Sequence, residues 1–249
     1  MSLESQLIQN WTDSSAKYSG IVGEELNSFK KKAWSDLIAE NSPGEAPLRI
    51  LDIGTGPGFF AIITTLAGHK VTAIDCTEAM IAEASANAER LGLAIDFKVS
   101  DSQNLAFPDS SFDLVISRNV AWTLFDASRA YREWWRVLSP GGRALIFDAN
   151  WNISLFDEAR KRAYDVDVAE YRKRFPEREV PFYTDEMLDF RRRMPQCQRI
   201  RPQWDFGALL EAGYGTVFCD MTVGSRVYDE AERLLYRSTP MFLLRAEKR

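Results

Sequence analysis

Apolar positions along this chain follow two alternating periods. From Leu48 onward, short continuous apolar runs that end in glycine or an acid alternate with stretches whose apolar residues recur every three or four positions. A continuous run of five to seven predicts a strand buried on both faces, and the longer period predicts an amphipathic helix. On this basis LRILDIG (48–54) is a strand, 58–67 a helix, HKVTAID (69–75) a second strand, and 78–92 an alanine-rich helix closed by Gly92. The pattern continues with strands at 94–101 and 112–119, an amphipathic helix over 128–142 ended by Pro-Gly-Gly, and a strand at 143–150. Strands alternating with helices at this rhythm predict βαβ units and a parallel sheet covered on both sides, an α/β fold.

The flanks break the rhythm. Residues 1–46 are predicted mainly helical, with Ile21, Leu26, Phe29, Trp34, Leu37 and Ile38 at helical spacing before the Pro/Gly-rich stretch 41–47. After Asn150 the alternation lapses until a helix at 204–213, a strand near 216–223 and a last strand at 240–247. The intervening 151–203, aromatic-rich with twelve Lys/Arg against ten Asp/Glu, predicts a helical insertion lying as a lid over the carboxyl edge of the sheet. Ligands bind at that edge in open α/β folds. The 249 residues are therefore read as a single domain: a helical segment 1–46, a ligand-binding core 48–150, the insertion 151–203, and a completion of the sheet over 204–249.

Composition narrows the partners. A net charge of −5 disfavours a general nucleic-acid binder, and no apolar run approaches the ~20 residues of a membrane span. The N-terminus shows no basic start followed by an apolar middle, so no secretory leader is expected. Cys76, Cys197 and Cys219 are too dispersed for a disulfide framework or a metal site, which predicts a reducing, cytoplasmic setting and no bound metal.

The densest chemical signal is Asp52-Ile-Gly-Thr-Gly-Pro-Gly58, which leaves a buried strand and opens a helix. Glycines at 54, 56 and 58 let backbone approach a ligand closely and tolerate positive φ. The dinucleotide fingerprint has the form GxGxxG. Here the third glycine arrives one residue early, which suits an amino-acid nucleoside with no diphosphate to cradle. Asp75 follows Gly54 by 21 residues at the tip of the second strand, where a carboxylate accepts from both hydroxyls of a ribose.

DIGTGPGFFAI, VTAIDCTEAM, VSDSQNLAFPDSSFDLVISRN and VLSPGGRALIF, in this order and spacing, resemble class I S-adenosylmethionine-dependent methyltransferases. The likeness is to the subgroup of the ubiquinone/menaquinone C-methyltransferases and many small-molecule enzymes. It covers about 48–148 well, and 204–249 only as a generic completion of the sheet. The resemblance implies a doubly wound, mostly parallel seven-stranded sheet of Rossmann-like form, S-adenosylmethionine as cofactor and a small-molecule acceptor. It also implies roles. Gly54, Thr55, Gly56 and Gly58 form the turn around the methionine and ribose, and Asp52 faces the ammonium group through water. Asp75 holds the ribose, Cys76 and Met80 lie at the adenine, Asp101 accepts the adenine amino hydrogen, and Ser102 supplies a backbone donor. The backbone carbonyl of Arg118 meets the methionine ammonium, and Tyr18 closes over the cofactor.

Methyl transfer from a sulfonium needs no protonation of the leaving group, so alignment of acceptor, carbon and sulfur carries most of the catalysis. The sequence names no base. His69, the single histidine, begins the second strand at the edge remote from ligands. Candidates at the near edge are Asn119, Trp122, Asp148 and Asn150, together with Tyr or Arg residues of the insertion, with Asn150-Trp151 as an acceptor wall. The basic runs 172–174 and 191–193 are interleaved with acids and read as solvated helix faces rather than an anion site. Two other functions compete: a protein that binds the cofactor or its demethylated product without turnover, and a nicotinamide-dependent oxidoreductase. The early third glycine and the acid at 101 count against the oxidoreductase. Metalloid methylation wants clustered thiolates, and nucleic-acid methylation an Asn/Asp-Pro-Pro-aromatic motif where Arg118-Asn-Val-Ala-Trp122 stands.

Overall fold

The computed structural model describes residues 2–45 and 47–249; Met1 and Ala46, both within the stretch expected to be helical, lie outside the described residues. Seven strands form one sheet: β1 (Arg49–Ile53), β2 (Lys70–Asp75), β3 (Asp96–Val99), β4 (Phe112–Arg118), β5 (Leu138–Asp148), β6 (Thr216–Asp220) and β7 (Phe242–Glu247). Their order is β3-β2-β1-β4-β5-β7-β6, parallel except for β7, which runs antiparallel to β5 and β6. The doubly wound, mostly parallel α/β expectation holds. The order reverses between β1 and β4, and this places a crevice beyond their carboxyl ends.

Successive residues of β1 point to opposite faces, and both faces are covered. Leu51 and Ile53 enter one core with Tyr131 and Trp134 of α5 (Ala127–Val137) and Leu209 of α8 (Gln203–Glu211). Ile50 enters the other with α2 (Phe29–Asn41) and α3 (Phe59–Leu66), where Trp34 meets Phe60 and Phe147 edge-on at 5.1 and 5.0 Å. This double burial is why the central strands read as unbroken apolar runs. At the sheet edge β3 is mostly exposed and carries the Asp96–Lys98 pair, charges that discourage pairing with another chain.

Some boundaries differ from those the pattern predicts. The N-terminal segment is two helices, α1 (Leu3–Leu26) and α2. Ser28 separates them, its hydroxyl capping α2 through Lys30 N at 3.3 Å. Phe29 is consequently exposed rather than on an apolar stripe. The helix expected over 128–142 stops at Val137, because Pro140-Gly141-Gly142 already belongs to β5. There Gly141 N donates to Lys248 O, Lys248 N donates to Gly142 O, and a Cβ on Gly142 would fall 2.8 Å from Ser139 O. The 151–203 stretch holds α6 (Glu158–Arg174) and α7 (Asp185–Arg193). Two short helices escaped the sequence pattern, α9 (Val223–Val227) and α10 (Glu230–Leu235), the latter opened by an Asp229/Glu232 capping box. The remaining helix, α4 (Glu78–Arg90), follows β2.

Candidate active site

The turn after β1 is shaped by its glycines. Gly54 sits at φ +65°, and a Cβ there would come 2.2 Å from Val120 Cγ2, so any side chain must displace the Val120 side chain. Gly56, at φ +52°, has no atom within 4 Å of where a Cβ would stand; its bare backbone fronts open space. Around it the loop is tied down on three sides. Thr55 N donates to Ile74 O at 2.9 Å, Thr55 Oγ1 donates to Asp52 Oδ2 at 2.6 Å, and Gly56 N donates to Asp75 Oδ2 at 3.1 Å. The other Asp75 oxygen accepts from Thr77 N and Thr77 Oγ1, while Thr77 caps α4 through Met80 N. One carboxylate thus fixes the glycine turn and the start of the next helix together.

That turn opens into a cavity of about 710 Å³, within the ~300–1,000 Å³ usual for small-molecule sites. Of the residues singled out from sequence, Asp52, Gly54, Thr55, Gly56, Asp75, Cys76, Met80, Asp101, Ser102, Arg118 and Tyr18 line it together. Gly58 stands just behind, as the left-handed N-cap of α3 packed on Ala84 of α4. Asp101 lies two residues past the end of β3, not within the strand, and accepts from Gln103 N at 2.8 Å. Ser102 O accepts from Trp134 Nε1 at 2.9 Å, so the packing tryptophan of α5 also holds this loop.

Electrostatics separate the acids. Burial raises the Asp52 carboxyl to about 7, against the opposing hydrogen bond from Thr55 and the Arg118 charge. Burial likewise raises Asp75, and partial shelter with Asp75 beside it lifts the thiol of the solvent-accessible Cys76 to about 12. Arg118 forms a bidentate pair with Glu25 of α1 at 3.1 and 2.9 Å, and its guanidinium lies 4.7 Å from the Phe59 ring centre.

Several candidates for chemistry are elsewhere. His69 accepts from Leu48 N at the amino edge, as expected from its place in the chain. Asp148 is fully buried and committed: Trp122 N, Ala149 N, Trp151 Nε1 and Arg201 Nη1 all donate to it at 2.8–3.0 Å. It therefore positions Trp151 and is no free base. Asn119 lines the cavity at φ +60°, its N–H donating to Phe147 O, whereas Asn150 faces a second cavity of about 590 Å³ beside Arg201. Within 151–203, Trp151 joins the main cavity lining. Arg191 donates to Asn152 Oδ1 and stacks on Tyr183, and Arg174 pairs with Glu170 and Glu230.

The facing wall comes from residues the sequence did not mark. Trp11 and Glu25 of α1 and Lys30 of α2 meet Tyr228, Glu232 and Tyr236 around α10. The readable sign was the Asp229-x-x-Glu232 capping box, which betrays a helix start but no ligand.

Residues 51–146 match the model of a methyltransferase domain. The chain carries a methyltransferase domain over that stretch. It is 30% identical over 145 residues to a demethylmenaquinone methyltransferase of Deinococcus radiodurans (57% of this chain, 60% of the relative). It is 37% identical over 117 residues to the Thermus thermophilus enzyme of the same name (46% and 53%). The chain thus spans little more than half the length of these curated relatives. A solved S-adenosylmethionine-dependent methyltransferase from Mesorhizobium loti shares the fold, with TM-score 0.59 and 21% identity, covering 86% of this chain and 97% of that one. No helix among the described residues is long and apolar enough to cross a membrane, and no group of side chains suited to a metal ion occurs among them.

Proposed function

We propose that this chain transfers the methyl group of S-adenosylmethionine to a small-molecule acceptor, working chiefly by alignment. The observation that carries this reading is the bare Gly56 backbone fronting the cavity while Asp75 ties that turn to the start of α4. The cofactor would supply an electrophilic methyl on a sulfonium. Gly54, Thr55, Gly56 and Gly58 would shape the methionine and ribose seat, and Asp75 would take the ribose hydroxyls. Cys76 and Met80 would flank the adenine, with Asp101 and the Ser102 backbone at its polar edge. Asp52 and the Arg118 carbonyl would meet the ammonium, and Tyr18 on α1 would close the mouth. A small-molecule acceptor agrees with the size of the cavity and with the acidic balance of the chain.

The fold alone does not name the reaction. A solved [4+2]-cyclase shares it at TM-score 0.55 and 18% identity, covering 86% of this chain and 79% of that one. Calorimetric titration with S-adenosylhomocysteine and with NAD tests the cofactor. Micromolar binding of the first and none of the second is expected; the reverse would restore the oxidoreductase alternative. Turnover is then read by S-adenosylhomocysteine release across an acceptor panel.

Asp52 makes cofactor affinity pH-dependent. With its carboxyl near 7, the anion that meets an ammonium prevails only above neutrality. The S-adenosylhomocysteine dissociation constant should fall about tenfold from pH 6 to pH 8, because the ligand draws on the ionised form. In Asp52→Asn the same scan should be flat. A parent profile as flat as the variant's would remove Asp52 from this role.

A further inference from the structure

We infer that the cavity beyond the glycine turn receives an uncharged acceptor with a flat ring and a hydroxyl or carbonyl oxygen, seated on Trp151, Tyr228 and Tyr236. This rests on the cofactor reading above and adds the class of acceptor. Tyr236 is the hinge of a continuous aromatic surface, its ring centre 5.3 Å from that of Trp151 and 5.3 Å from that of Tyr228. Trp151 is held from behind by Asp148, so the surface is preorganised. On α1, Trp11 and Tyr18 add a second edge-on pair at 5.5 Å in the same lining. Aromatic pairs of this kind favour a flat ring over a saturated one of equal size, through stacked and edge-to-face contacts.

Polarity selects further. The phenols of Tyr18, Tyr228 and Tyr236 have no hydrogen-bond partner among the described residues, and all three belong to the cavity lining. Burial raises each of them, so they stay protonated at neutral pH and offer O–H groups to an oxygen. Charge on the acceptor is disfavoured because the cations of this region are already matched. Arg118 is bidentate to Glu25, and Lys30 sits 2.5 Å from Glu232 and 3.9 Å from Glu25. These four side chains are 12–25% exposed, so a charged guest must strip a partner from a largely desolvated pair.

The test uses the full chain saturated with S-adenosylhomocysteine and follows quenching of tryptophan fluorescence by defined probes. 2-Naphthol should bind at least tenfold tighter than decahydro-2-naphthol, 2-naphthoate and 2-naphthylmethylammonium. A Tyr228→Phe, Tyr236→Phe double variant keeps both rings and loses both hydroxyls. It should weaken 2-naphthol about tenfold while leaving 2-methylnaphthalene and S-adenosylhomocysteine unchanged, a split that mere loss of structure would not give. Equal or tighter binding of the carboxylate or the ammonium probe overturns the proposal, as does undiminished 2-naphthol binding by the double variant. If S-adenosylhomocysteine binds and no probe does, the acceptor class alone is wrong; if S-adenosylhomocysteine fails to bind, the cofactor reading falls first.

Discussion

Removing the carboxylates of Asp75 and Asp101 together should weaken S-adenosylhomocysteine binding by about three orders of magnitude. Hydrogen bonds to a charged partner contribute ~1.5–3 kcal/mol each. Asp75, buried and offered two ribose hydroxyls, should account for about a hundredfold, and the exposed Asp101 for about tenfold. Asp75→Ala also frees Gly56 N and Thr77 N, loosening the turn and the α4 cap. Asp75→Asn separates these effects, since an amide oxygen still accepts from Gly56 N but carries no charge; an intermediate loss of about tenfold is expected. Titration calorimetry measures the binding, and thermal unfolding of the ligand-free variants checks that they fold. A double alanine variant that folds and binds as tightly as the parent would refute the assignment of this turn.

Arg201→Met should lower thermal stability by roughly 10 °C. The Arg201 side chain is 1% exposed and donates to Asp148 Oδ2 at 2.9 Å, Asp205 Oδ2 at 2.8 Å and Asp205 Oδ1 at 3.0 Å. Burial works against its charge, and the two aspartates more than offset it. Deleting one partner of a buried pair strands the other charge, at ~3–5 kcal/mol, and ~1 kcal/mol moves the midpoint of a chain this long by ~2–4 °C. Burial raises the Asp148 carboxyl above its ordinary range even beside arginine. A carboxyl raised on folding stabilises the fold while protonated and loses that contribution as pH rises, so the variant should recover part of its stability at pH 5 relative to pH 8. Arg201→Met combined with Asp148→Asn and Asp205→Asn should lose less than the single variant, because no charge is left stranded. Scanning calorimetry at the two pH values decides it; a single variant as stable as the parent would show that the cluster is not the keystone of this end of the sheet.

The two predictions differ in how much of their basis the chain discloses locally. Asp75 is visible from sequence because its position is set by spacing: a strand, a glycine turn and a second strand of fixed length bring its tip beside Gly56. Arg201 is not, because its partner Asp148 lies 53 residues away and their meeting depends on how α8 packs against α5 and β6. Asp148 therefore read as a candidate base at a ligand-facing strand end, and it is a buried anchor instead. Tyr228 and Tyr236 flank a six-residue helix, too short for a 3.6-residue period to register. Pro140-Gly141-Gly142 misled in the opposite way, since helix-stopping residues were also what the join to the last strand required.

Local sequence determined the sheet core, the glycine turn and the acids beside it, since a strand buried on both faces and a glycine-bound turn impose chemistry on consecutive residues. The wall proposed for the acceptor, of which the chain pointed locally only to Trp151, was otherwise decided by the tertiary structure. It is assembled from α1, Trp151 and the segment around α10, whose side chains become neighbours through helix docking across long stretches of chain, and no local period encodes that encounter.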